Sequence, residues 1–169
     1  MSFSTSPTRN IKKGDTPDLN DGQQSIRMAA QNISRGTACV VILGFVTIAT
    51  VANSIDNSRF VPVQNKDNSG GSPGDLETRG VTAPQLVALE TLDDLDVGDF
   101  VEISVTNGIV QKATSGAKYA RYLGREAALL DINAFTPFDH KLTEGVVPDE
   151  PLLAGEEGWF KLIEVSNNG

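Results

Sequence analysis

The sequence predicts a mainly β protein, a small antiparallel β-sandwich or barrel body with an extended N-terminal arm. The chain holds 16 Gly and 8 Pro but is only 6% aromatic, a composition typical of short strands and frequent turns. In its second half, turn residues recur at intervals of about ten residues, the spacing expected of a sandwich or barrel. With 169 residues, the chain is long enough for one well-buried domain and an appendage.

The N-terminal segment, residues 1–36, is the predicted extended arm. Ser, Asn, Asp, Gly and Pro are frequent in it and its apolar residues are scattered, so it cannot build a core by itself. Such a segment gains order when it lies along a partner, with its spaced apolar side chains as anchors. The candidate partner-binding residues are Phe3, Ile11, Leu19 and Ile26. A mobile tail without a role is the alternative.

An apolar segment, residues 37–63, is predicted to form strands packed in the body or at a subunit interface. Its uncharged run from Ala38 to Ala52 contains eight Val, Ile or Thr residues, which fit a pleated sheet better than a helix. These strands could be two segments that meet at Gly44. A membrane anchor is the alternative, because basic residues precede the run. As a helix, the run would cover only about 23 Å of a hydrocarbon core of roughly 30 Å.

Residues 64–80 read as a loop rich in Gly, Asn and Ser, and residues 81–169 as an acidic, β-rich body. The strongest local signal in the body is a hairpin. Residues 100–105 alternate apolar and polar side chains, and Asn107-Gly108 supplies the two left-handed positions of a type I′ turn. Further strands are expected at residues 118–123, 158–163 and 85–92, where the spacing of apolar residues leaves a helix as the alternative. Residues 126–132 fit a strand or a short helix.

The two halves of the chain differ in charge. Residues 1–80 carry 8 Lys/Arg and 7 Asp/Glu, whereas residues 81–169 carry 6 and 15. A net charge of -8 disfavours binding to duplex nucleic acid, because phosphate neutralisation needs clustered cations. The single cysteine, Cys39, cannot form an internal disulfide, and its apolar surroundings predict a buried, unreactive thiol.

The sequence contains no template for catalysis, so we expect neither an enzyme nor a bound cofactor or metal. The lone histidine, His140, has no serine or cysteine motif to orient it and is predicted to lie on the surface. Four aspartates, Asp93, Asp94, Asp96 and Asp99, cluster within seven residues. They do not fit a calcium loop, which requires a glycine and a glutamate at fixed spacing, and are predicted to be solvated turn residues.

Aromatic and basic residues interleave at Tyr119, Arg121, Tyr122 and Arg125. This pattern occurs in proteins that bind single-stranded nucleic acid. Two cations in a half of the chain with 15 acidic residues make that unfavourable. The four residues are therefore predicted to form a cross-strand pair or a subunit interface.

Two stretches carry a family resemblance: residues 95–102 with the Asn107-Gly108 hairpin, and residues 153–163. With them, the chain is similar in plan to the capsid decoration, or cement, proteins of tailed bacteriophages. In that family a β-rich body lies on the outer shell, often as a trimer, and an arm reaches over neighbouring capsid subunits. The resemblance implies a structural virion protein, a homotrimer whose partner is the major capsid protein, located on the outer capsid surface.

Two other classes of protein are also rich in β structure and lack catalytic motifs. One is a membrane-anchored bacterial protein with an acidic external β domain, and its basis is the run from Ala38 to Ala52. The other is a structural component of a phage tail or fibre, which differs only in its place on the particle.

Overall fold

The computed structural model describes residues 11–16, 24–64, 76–125 and 151–165. Within these ranges the chain forms β-strands and no helix, which confirms the predicted mainly β class. The strands are β1 (Ser25–Ala29), β2 (Cys39–Ile42), β3 (Phe45–Ile48), β4 (Ser58–Pro62), β5 (Leu76–Thr82), β6 (Leu86–Glu90), β7 (Phe100–Ile103), β8 (Val110–Lys112), β9 (Ala120–Gly124) and β10 (Glu157–Leu162).

The first five strands close into a barrel in the order β1-β3-β2-β4-β5. Strand β5 completes the ring by pairing antiparallel with β1, from Ser25 opposite Gly80 to Ala29 opposite Leu76. Only the β1–β3 pair in the barrel is parallel. Because side chains alternate along a strand, every second residue points inward. The barrel interior is filled by Ala29, Ile33, Cys39, Val46 and Phe60, with Val41 and Ile48 packed against them.

The apolar run from Ala38 to Ala52 provides β2 and β3, which meet at Gly44. Ile42 pairs with Phe45, so only Leu43 and Gly44 form the connection. Both have positive φ, 51° and 87°, as a two-residue type I′ turn requires. No helix within the described ranges is long and apolar enough to cross a membrane.

Two segments that were predicted to be irregular belong to the barrel. Residues 24–36 are not part of an extended arm, because β1 is hydrogen-bonded on both sides, to β3 and to β5. Residues 76–80 are not part of a loop, because they begin β5. Local composition misled the prediction at both places, since a polar segment becomes a strand when distant strands satisfy its backbone groups. Residues 65–75 lie outside the described ranges.

The remaining strands form a second sheet in the order β6-β10-β9-β7-β8. It curls back on itself, since Thr91, directly after β6, bridges to Val110 in β8. The inner side of this sheet and the outer side of the barrel share one hydrophobic core, in which Val40, Val61 and Val81 of the barrel join Tyr122 and Phe160 of the sheet. This core fixes β2, β4 and β5 against the sheet and leaves β1 and β3 on the opposite side of the barrel.

The predicted hairpin is confirmed as β7 and β8, with Ile103 opposite Val110. Its turn differs from the predicted type I′, because six residues connect the strands and only Gly108 has positive φ, at 82°. The longer loop reaches the barrel: Gly108 donates its N–H to the carbonyl of Ala49, and Ala38 donates to the carbonyl of Gly108, both at 2.9 Å. These two hydrogen bonds link the second sheet to the barrel.

The short segment 11–16 lies along the free edge of β6. Gly14 donates to the carbonyl of Ala88 at 2.8 Å, and Ala88 donates to the carbonyl of Asp15 at 2.9 Å. Ile11 is buried on the outer side of the second sheet, in a cluster with Leu86, Ala88, Leu123 and Trp159. The prediction that Ile11 anchors a partner is therefore wrong, because its side chain is part of this protein's own core.

Candidate partner-binding site

The two tyrosines of the predicted subunit interface lie in the core instead. Tyr122 packs at 5.3 Å from the ring of Phe160. Tyr119 lies between the two sheets, where its hydroxyl donates to the carbonyl of Cys39 at 2.7 Å and accepts from the amide of Cys39 at 2.9 Å. Both tyrosines are fully buried, so neither can contribute to a subunit interface. Tyr119 instead joins the second sheet to the barrel.

The two arginines of the same set are only partly exposed and have partners within the chain. Arg121 donates from Nε to the carbonyl of Gly98 at 3.1 Å and lies over the ring of Phe100. The guanidinium of Arg125 lies 3.7 Å from a carboxylate oxygen of Glu156. The four predicted interface residues thus do not form one surface, since Tyr122 of β9 and Tyr119, directly before it, are both buried in the core.

Cys39 is a structural residue of the barrel interior. Its side chain is buried, and burial raises the pKa of the thiol above its ordinary value. The hydroxyl of Tyr119, which contacts the Cys39 backbone, has a pKa raised for the same reason. The thiol is therefore held protonated, the unreactive form that the sequence predicted.

Three of the four clustered aspartates have defined roles in backbone capping. Asp93 accepts a hydrogen bond from the amide of Lys112, Asp94 from that of Ala154, and Asp99 from that of Asp96, all at 2.9 Å. Each carboxylate stabilises a turn or strand end in this way. Among the described residues, no group of three or more His, Cys, Asp or Glu side chains is arranged to hold a metal ion.

Glu102 is a buried carboxylate that organises the loop after β8. Its oxygens accept hydrogen bonds from Gln111 at 3.0 Å, from the hydroxyl of Thr114 at 3.2 Å and from the amide of Gly116 at 2.5 Å. Burial by itself raises the pKa of Glu102, but these hydrogen bonds to the charged form outweigh it and leave the pKa below its ordinary value.

We expect Glu102 to make the stability of the protein depend on pH in the acid range. Because its folded pKa is lowered, its stabilising contribution is complete above the unfolded pKa of about 4.3 and is lost as the pH falls through the folded value. Urea unfolding between about pH 3 and 6 measures this slope. Glu102→Gln should flatten the slope, whereas Glu77→Gln, at an exposed position of β5, serves as the control. Equal slopes for the two variants would contradict the assignment.

The side of the barrel opposite the second sheet exposes an apolar surface, which we call the β1/β3 face. Met28 of β1 pairs with Phe45 of β3, and Ile26 shares the outward side of β1 with Met28. Leu43, at the tip of the β2–β3 hairpin, adjoins them. Leu43 is 94% exposed, Ile26 46% and Phe45 40%. Ile26, a predicted partner-binding residue, is thus accessible, whereas the predicted anchors Phe3 and Leu19 lie outside the described residues.

A polar cavity opens beside the β1/β3 face, at the barrel end that carries the β2–β3 hairpin. Its volume is about 490 Å³, and we call it the mouth pocket. It is lined by Arg27, Val41, Ser58, Arg59, Thr82, Ala83, Glu164 and Val165. Four of these residues come from barrel strands β1, β2, β4 and β5: Arg27, Val41, Ser58 and Thr82. Each lies two positions from a residue on the inner side of its strand and so points to the same side.

Arg59 is the most unusual residue of the mouth pocket, since its side chain is only 3% exposed. Its guanidinium donates to the carbonyls of Ser54, Asn57 and Lys118 at 2.6–2.7 Å and lies 5.2 Å from the ring centre of Tyr119. None of the ion pairs among the described residues includes it. Burial lowers its pKa, because the charged form is desolvated.

The described residues thus define an all-β protein built from a closed barrel and a curled second sheet, with an apolar face and a cationic pocket at one barrel end. No protein-family model, no curated protein and no solved structure matches the chain. Function is therefore inferred from the chemistry of this end of the barrel.

Sequence reasoning did not identify Arg59, Leu43 or Phe45 as site residues. Arg59 stands between an exposed serine and a buried phenylalanine, a pattern that any half-buried strand can show. Leu43 and Phe45 belong to the apolar run and were assigned with it to buried structure. The signal that could have marked Leu43 is its position before Gly44, since both central residues of a two-residue hairpin project from the sheet. The other singled-out residue, His140, lies outside the described residues.

Proposed function

We propose that the protein is a structural virion protein that binds the outer surface of a tailed-phage capsid and stabilises the shell by clamping neighbouring capsid subunits. In this proposal it is a homotrimer, and its partner is the major capsid protein. The observation that carries the proposal is the β1/β3 face, an apolar surface on which Leu43, Ile26 and Phe45 are exposed. A soluble protein keeps such a surface when something binds to it.

The charge and packing of the protein also support this role. Its carboxylates cap backbone amides in the turns of the second sheet, opposite the β1/β3 face. With a net charge of -8, the protein would present an acidic exterior to solvent and so keep particles apart. Modest contacts repeated at many symmetry-related positions of a shell add up through avidity.

Purified particles of the phage that carries the protein test the proposal directly. We expect the chain in them at a stoichiometric copy number by quantitative mass spectrometry. Gold-labelled antibodies raised against it should mark the heads in electron micrographs. Label confined to tails or fibres would show a different structural role, and recovery of the protein in the membrane fraction instead of particles would contradict the proposal.

A single substitution on the β1/β3 face should weaken attachment. Burial of a leucine side chain is worth about 1.5–3 kcal/mol, so Leu43→Ser should lower the affinity for capsids at least about tenfold. Co-sedimentation of the purified variant with capsids that lack the protein measures this loss.

Val105→Ser is the matched control, because Val105 is similarly exposed but lies in the β7–β8 loop. Unchanged binding of Leu43→Ser, or equal loss with Val105→Ser, would exclude the β1/β3 face as the attachment surface.

A further inference from the structure

The mouth pocket combines positive charge with hydrogen-bond donors. Arg27 is exposed, and its guanidinium donates to the carbonyl of the adjacent Ile26 at 2.9 Å. The hydroxyls of Ser58 and Thr82 line the same cavity. Two arginines in one cavity are notable in a protein with a net charge of -8. Such an arrangement attracts an anion.

Arg59 adds to this attraction from a buried position in the wall of the mouth pocket. Its charge is balanced by three carbonyl dipoles and by no carboxylate among the described residues. Its Nε is buried and has no hydrogen-bond partner. An unneutralised charge in a poorly solvated wall acts over a longer range than one at the surface. Arg59 therefore contributes a positive field to the cavity, while the accessible Arg27 supplies the direct contact.

The charge balance of the pocket selects the kind of anion. Among the described lining residues the charged ones are Arg27, Arg59 and Glu164, which together give a net charge of +1. A monoanion neutralises this charge, whereas a phosphate dianion would leave an excess negative charge beside Glu164. A carboxylate is the monoanion whose two oxygens match the paired donors of a guanidinium.

We propose that the mouth pocket binds a carboxylate group, with Arg27 as its direct partner and the hydroxyls of Ser58 and Thr82 as additional donors. Two sources can present this group: a small free carboxylate, or an Asp or Glu side chain of a bound protein. The proposal holds whether or not the protein decorates a capsid, since it concerns the chemistry of the cavity alone.

Nuclear magnetic resonance titration of the full chain with sodium acetate tests the proposal. The sodium chloride concentration is lowered by the amount of sodium acetate added, so that the ionic strength stays constant at pH 7. We expect saturable shifts at the amides of Ser58 and Thr82, with a Kd on the order of 10 mM, as suits one exposed charged contact. Arg27→Gln should weaken binding about tenfold. Arg79→Gln removes the same charge from an exposed position of β5 outside the pocket and should leave it unchanged.

A second titration separates the two sources. The probes are the blocked peptide acetyl-Leu-Asp-Leu-amide and its Asn counterpart. Tighter binding of the Asp peptide than of acetate supports a carboxylate carried by a protein, and equal binding supports a small free carboxylate.

Three results would overturn the assignment. The first is the lack of any saturable shift with acetate or the Asp peptide. The second is equal binding of the Asn and Asp peptides. The third is tighter binding of inorganic phosphate than of acetate. None of these results depends on capsid attachment, so failure here and failure of the proposed function are distinguishable.

Discussion

Phe60→Ala is expected to destabilise the protein by about 3–5 kcal/mol, the usual cost of removing a buried phenylalanine. Phe60 is fully buried in the barrel interior and packs against Gly80 of β5, where a Cβ atom would lie only 2.5 Å from its ring. Since β5 closes the barrel against β1, the cavity left by alanine would loosen the closure itself. Urea unfolding measures the loss as a lower midpoint with an unchanged slope.

Phe45→Ala is the matched control for this prediction. The same atoms are removed from the same barrel, but Phe45 lies on its exposed outer side. We expect a change well below that of Phe60→Ala, on the order of 1 kcal/mol or less. Similar losses for both variants would mean that the interior of the barrel is not the packed core described here.

Arg59→Met is expected to cost about 3–5 kcal/mol, although methionine is hydrophobic and its position is buried. The substitution removes the donors for the carbonyls of Ser54 and Asn57, in the connection between β3 and β4, and of Lys118, in the segment before β9. Buried carbonyls without partners are costly because they lose water without gaining a protein donor. Thermal and urea unfolding report the loss.

Arg79→Met separates this effect from a simple loss of charge, because Arg79 is exposed on β5. We expect it to change stability by less than about 0.5 kcal/mol. If Arg59→Met were as stable as the unsubstituted protein, the carbonyl contacts would be dispensable, and the role of Arg59 would lie in the mouth pocket alone.

Strand content and several turns could be predicted from local residues. The run of Val, Ile and Thr after Ala38 indicated buried strands, and β2 and β3 meet at Gly44. The alternation over residues 100–105 indicated β7. These predictions depend on the intrinsic preference of β-branched residues for a pleated backbone and on the period of two.

Residues 24–36 and Ile11 were misassigned because nothing local marks their partners. β1 has exposed residues at Ile26 and Arg27, so it resembles an irregular polar segment. It becomes a strand because β5, about fifty residues later in the chain, supplies its hydrogen bonds. Tyr119 and Tyr122 were likewise assigned to a surface, and only the packing of the second sheet on the barrel buries them.

The sequence by itself indicated that this protein is mainly β, that two strands of the apolar run could meet at Gly44, that a hairpin begins with the strand at residue 100, and that Cys39 is buried. Each of these properties depends on neighbouring residues in the chain. The tertiary structure decided the closure of the barrel, the outward direction of Leu43, Ile26 and Phe45, and the burial of Arg59 without a carboxylate partner. These depend on which strands meet, because alternation gives every strand two sides and only its distant neighbours determine which side faces water.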